Sequence, residues 1–179
     1  MPSLLAAAIL MLAPLTLESL QTEPIQPRSA QSDPQRDLLD RFTGHWVLRG
    51  TIAHAQTTHD IDAQWVLNNE YVQVHEVSRE KDAAGRPHYE ALLYIVWDPK
   101  VGEYACLWLD TTGVSVFSAD GVGRAKPEPD RIPFVFKDAD GGIHTTFSYH
   151  RATDEWSWTI DNEAKGVLTS FARVKLTRK

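Results

Sequence analysis

Apolar and polar residues alternate along most of this chain, and short clusters of turn-forming residues interrupt the alternation. The stretch 91–110, ALLYIVWDPKVGEYACLWLD, is two apolar runs joined by a turn. Pro99 and Gly102 set the bend, and the Val, Ile, Tyr and Trp residues on both sides favour strands. The layout returns further on: Tyr149–Trp156 matches Trp97–Tyr104, with Asp154 in the place of Gly102. A four-residue loop in each hairpin pairs the flanking aromatics across the strands and puts them on one face. In the second hairpin that face collects Ile143, Phe147, Tyr149, Trp156, Trp158 and Ile160, while His144, Thr146, Ser148, Ser157, Thr159 and Asp161 take the other. The aromatic face is the one to bury. By the same parity the first hairpin buries Leu93, Ile95, Trp97, Tyr104, Cys106, Trp108 and, with them, Asp110.

The rest of the chain extends the pattern. Ser32-Asp33-Pro34 starts a short helix, Leu38, Leu39 and Phe42 give it one apolar stripe, and Gly44 stops it. Strands are expected over 45–54, 60–67 and 71–78, with Asn68-Asn69 as a two-residue hairpin turn. That turn sets Trp65 opposite Val72, Ala63 opposite Val74 and Ile61 opposite Glu76, so a carboxylate shares the inner face. Residues 80–87 form a polar loop. Further strands are expected over 114–118, 132–137, 143–149, 156–161 and 167–177, and Gly121-Val122-Gly123 reads as turn. The sum is an all-β chain of about ten short strands without a crossover helix. It predicts an antiparallel up-and-down barrel preceded by one short helix, because closure removes exposed edges; a two-sheet sandwich is the alternative.

Composition narrows the partners. The 179 residues suit one domain, and a net charge of -6 without a basic stripe argues against nucleic acid. The single cysteine excludes an intrachain disulfide, and Cys106 reads as a small buried hydrophobe. Residues 1–31 differ from the remainder: 4–17 are apolar, look like the core of a secretory signal and are too short to span a bilayer, and 18–31 read as linker. The expectation is an exported protein, periplasmic or secreted, with no transmembrane span in its mature form and a barrel domain over 32–179. Oligomeric state is not legible.

Gly44-His45-Trp46, opening the first strand after a short helix, resembles the G-x-W start of lipocalins. Together with 64–71, QWVLNNEY, then Trp97–Tyr104 and Trp108-Leu109-Asp110, it is similar to bacterial lipocalin-like (calycin-type) domains of unknown function, over about 38–178. The family pattern has glycines where Asn68 and Asn69 stand and Tyr where Trp97 stands. The resemblance implies a barrel with a pocket for a small, largely apolar molecule, and no particular activity. It also implies an arginine near the last strand packed on the opening Trp46; Arg173 is the residue it offers, and strand parity turns Arg173 outward.

All six tryptophans fall on inferred inner faces. An aromatic pocket lined by Trp65, Trp97, Tyr104, Trp108, Phe147, Tyr149 and Trp158 would suit a flat or acyl ligand; the same bulk could simply fill a small barrel. Glu76 and Asp110 are inner carboxylates with no Lys or Arg on their face. A ligand and water reach them, or Tyr, Trp and backbone donors satisfy them, as Thr112-Gly113 could satisfy Asp110. His54, His59 and His88 approach the barrel mouth without the spacing of a metal motif. A haem barrel of the nitrobindin type is similar in outline but needs a proximal histidine near the chain end, and none follows His150. No cofactor or metal is expected. No nucleophile elbow, phosphate loop or Cys–His pairing occurs. The reading is a ligand-binding barrel; acid–base chemistry through Glu76 and Asp110, or a ligandless module, are the alternatives.

Overall fold

The computed structural model describes residues 33–112, 121–139 and 141–179. The signal-like segment 1–31 and the strand expected over 114–118 lie outside these residues. Helix α1, Pro34–Phe42, is capped by Asp33, whose side chain accepts from Gln35 N at 3.0 Å. Ten strands follow: β1 Gly44–Ile52, β2 Ala55–Val66, β3 Tyr71–Ser78, β4 Glu90–Asp98, β5 Glu103–Asp110, β6 Val122–Ala125, β7 Arg131–Lys137, β8 Gly141–His150, β9 Glu155–Ala164 and β10 Val167–Arg178. Each pairs antiparallel with its chain neighbours, and β1 pairs with β10, so the sheet closes into a barrel with no free edge. Closure sets the sandwich aside.

The inner faces follow the period of two. Trp46, Leu48, Ile61, Val72, Val74, Leu93, Ile95, Trp156 and Leu176 are fully shielded. Trp97 pairs with Tyr104, and Tyr149 with Trp156, across four-residue loops as expected. Thr145 also lies on the inner face, where it accepts from Trp158 Nε1 at 2.6 Å.

Three boundaries depart from the sequence reading. β1 ends at Ile52, and Ala53-His54 turn with φ of 48° and 68°, which lets Ala55 and the polar residues 56–59 pair along β1 and lengthen β2. The β2–β3 register is the predicted one, Trp65 to Val72 and Ile61 to Glu76, but the turn is wider. Leu67, Asn68 and Asn69 all take left-handed φ, and Glu70 N closes the loop on Val66 O and Leu67 O at 3.2 Å each. Gly123 is in a strand, not a turn: the Phe136 ring fills the space where its Cβ would stand, 2.5 Å from Cε2, so only glycine lets β6 pass.

Helix α1 plugs one end of the barrel. Its Phe42 ring meets Phe147 edge-on at 5.0 Å and Trp156 at 4.8 Å. Trp46 Nε1 donates to Phe42 O at 2.8 Å. Arg178, not Arg173, lies over Trp46, with Cζ 3.8 Å from the ring centroid, and its guanidinium donates to Thr43 O and Arg41 O. Gly44, at φ 121°, leaves the room this needs, because a Cβ there would meet Nη1 at 2.3 Å. Arg173 points outward, as parity requires, and pairs with Asp161.

Candidate functional site

At the end opposite α1 the barrel holds a cavity of about 680 Å³. Its aromatic wall comes from Tyr89 just before β4, Trp108 of β5, Phe136 of β7 and Trp158 of β9, with Phe171 at the mouth. Phe171 stands where the β9–β10 register breaks between Ser170 and Ala172, and it is 38% exposed. The break takes one residue out of the alternation and leaves a large ring at the rim. Trp108 lies 5.5 Å from Trp158 and 5.9 Å from Phe136, and Trp158 lies 4.7 Å from Phe147, which in turn meets Phe42. This chain of rings is the floor that separates the cavity from the helix-packed core.

The polar wall is built on β2, β3 and β5. Ile61 faces Glu76 in the register and His59 faces Ser78, so His59 sits diagonally beside Glu76 on the inner face. His59 Nδ1 and Glu76 Oε1 are 2.5 Å apart, and both side chains are buried. Glu76 Oε2 is buried and has no hydrogen-bond partner among the described residues. Burial raises the pKa of Glu76; the His59 contact opposes this, and the charge of Asp110 adds to it. Thr57 Oγ1 lies 2.8 Å from His59 Nε2. The oxygens of Glu80 accept from Ser78 Oγ, Thr57 Oγ1 and Thr58 N.

Asp110 is half-buried at the cavity wall. Its carboxylate accepts from Thr112 N at 2.8 Å, which caps the turn after β5, and from Tyr89 OH at 3.3 Å. Trp108 Nε1 donates to the same tyrosine oxygen at 3.2 Å, and the Tyr89 ring stacks on His59 at 5.8 Å. Burial and the two nearby carboxylates push the Tyr89 phenol pKa far up, so it stays a neutral donor.

Of the residues singled out from sequence, Glu76, Trp108, Asp110 and Trp158 line this cavity. Trp65, Trp97, Tyr104, Phe147 and Tyr149 do not; they belong to the core and the plugged end. Trp65 Nε1 donates to Asp40 Oδ1 at 2.6 Å under the Arg36 guanidinium, and Tyr104 OH donates to Gln35 O at 3.0 Å. Trp97 packs on Tyr104, and Tyr149 on Trp156. Inner-face parity cannot tell the two ends of a barrel apart, so by parity alone these five are equivalent to the cavity residues.

The sequence reading missed the pairing of His59 with Glu76, and it missed Tyr89. Both were within reach. His59 is two residues before Ile61 and shares its parity, and Tyr89 is two residues before Ala91 and shares that one. The three mouth histidines part company: His54 is on the exposed turn, His88 lines the cavity and His59 is committed to Glu76. Cys106 is fully buried, and burial pushes its thiol pKa up, away from nucleophile chemistry. No helix among the described residues is long and apolar enough to cross a membrane.

Comparison with protein-family models and with curated proteins gives no match for this chain. The closed ten-stranded barrel is compatible with a lipocalin-like architecture.

Proposed function

We propose that this protein binds one small apolar or amphipathic molecule in the cavity at the open end of its barrel. The observation that carries the reading is the combination found there: a chain of aromatic rings as floor and wall, and a buried carboxylate with an oxygen that no described residue satisfies. A barrel packed only for stability gains from filling such a space and from pairing such an oxygen. The aromatic wall supplies contact area, and Glu76 with His59 supplies an anchor that orients the guest. The signal-like residues 4–17 fit export, so the setting we propose is periplasmic or extracellular.

The test is tryptophan emission with a neutral lipophilic dye. Energy transfer from Trp108 and Trp158 should quench the emission and saturate at one dye per chain. Trp108→Ala should weaken the dye by more than it lowers stability. If no dye binds and the substitution costs about 3–5 kcal/mol, the indole is filling and the reading fails.

Acid–base chemistry is the second reading, and the His59–Glu76 contact favours it, because a carboxylate beside an imidazole fixes its tautomer. Native mass spectrometry of protein from its own host separates the two. A retained molecule that leaves unchanged supports a binder, and a retained molecule converted in a way that Glu76→Gln abolishes supports an enzyme.

A further inference from the structure

We infer that the guest is an amphipathic amine, held with its ammonium group at Glu76 and Asp110 and its apolar part against Trp108, Trp158 and Phe136. The inference rests on the binding reading above and specifies its ligand class. Three carboxylates line the cavity, those of Glu76, Glu80 and Asp110, against two imidazoles, those of His59 and His88. No Lys or Arg lines it among the described residues, in a chain that has 18 of them. The wall is therefore acidic, and an anionic head group would meet repulsion with no cation to hold it.

The three carboxylates are not equivalent. Glu80 is spent on Ser78, Thr57 and the Thr58 amide. Asp110 is held in place by the Tyr89 hydroxyl and by Thr112. Glu76 is 1% exposed and uses one oxygen on His59, and Oε2 is the acceptor without a donor. A neutral apolar guest leaves that oxygen unsatisfied, and a carboxylate guest makes its surroundings worse. An ammonium group donates to it and offsets the charge that burial makes costly.

The experiment displaces the neutral dye from the full-length protein with three matched probes, n-octylammonium, n-octanol and n-octanoate, near neutral pH. The amine should displace the dye at a concentration lower by about tenfold than the alcohol, with the carboxylate weakest, as expected for one charge-assisted hydrogen bond in a shielded site. Glu76→Gln should bring amine and alcohol within about threefold of each other. Should that variant fail to fold, the wild-type ranking decides alone. Octanoate displacing the dye as well as the amine does overturns the amine inference and leaves the cavity reading standing. A dye that never binds overturns both.

Discussion

Glu76 is a carboxylate that the barrel has removed from water and only half satisfied, and its titration should show in the stability of the fold. The groups facing it are His59 from β2, Tyr89 before β4 and Asp110 from β5. Burial, the dominant influence, lifts its pKa above the ordinary 4.5. A carboxyl whose folded pKa exceeds its unfolded one binds protons more tightly in the native state. Its favourable contribution is complete below about pH 4.5 and is lost as pH rises through the folded pKa. Each tenfold gain in proton affinity is worth about 1.4 kcal/mol. Glu76→Gln removes the charge and keeps an acceptor for His59, so the ligand-free variant should outlast wild type in urea at neutral pH. The gap should close as pH falls toward 4.5. A wild-type protein that is the more stable of the two at neutral pH would show that the contact with His59 outweighs desolvation.

Helix α1 is the element on which the closed end depends. Alone, nine residues make a marginal helix. It persists because Leu38, Leu39 and Phe42 are buried and because its last turn offers carbonyls to Trp46, Trp156 and Arg178. Phe42 is 1% exposed and joins the aromatic chain that runs to the cavity floor. Phe42→Ala should therefore cost about 3–5 kcal/mol by urea denaturation, and it should loosen dye binding through Phe147 and Trp158 although Phe42 touches no guest. A loss below about 1 kcal/mol would mean that the plug is an ornament of the barrel and not part of its core.

Closure of the sheet makes the barrel one cooperative body, and among the described residues its wall is thinnest at β6. β6 is four residues long, and its ladder with β7 registers one residue pair, Arg124 with Val135. The seam between β1 and β10 is registered continuously from Trp46 to Ile52. Hydrogen exchange should show the seam amides as protected as those of β2 and β3, and the amides of 122–125 as the fastest of any strand, since local opening needs few bonds broken there. Fast exchange at the seam would mean that the barrel opens between its first and last strands.

Periodicity determined much of this protein without help. Alternation is a local property of a strand, so the all-β class, the paired aromatics at Trp97 and Tyr104 and the inner placement of Glu76 and Asp110 all follow from parity and turn length. Tertiary structure decided what parity leaves open. An inner face runs the whole height of a barrel, and only the docking of α1 makes one end core and the other a cavity; this places Trp65, Trp97, Tyr104, Phe147 and Tyr149 away from the cavity and Trp108 and Trp158 on its wall. The choice of Arg178 over Arg173 for Trp46 depends on where β10 meets β1 across closure, which no local pattern encodes. The diagonal contact of His59 with Glu76 needs the extension of β2 through its polar residues, and those residues become strand only because β1 lies beside them to take their hydrogen bonds.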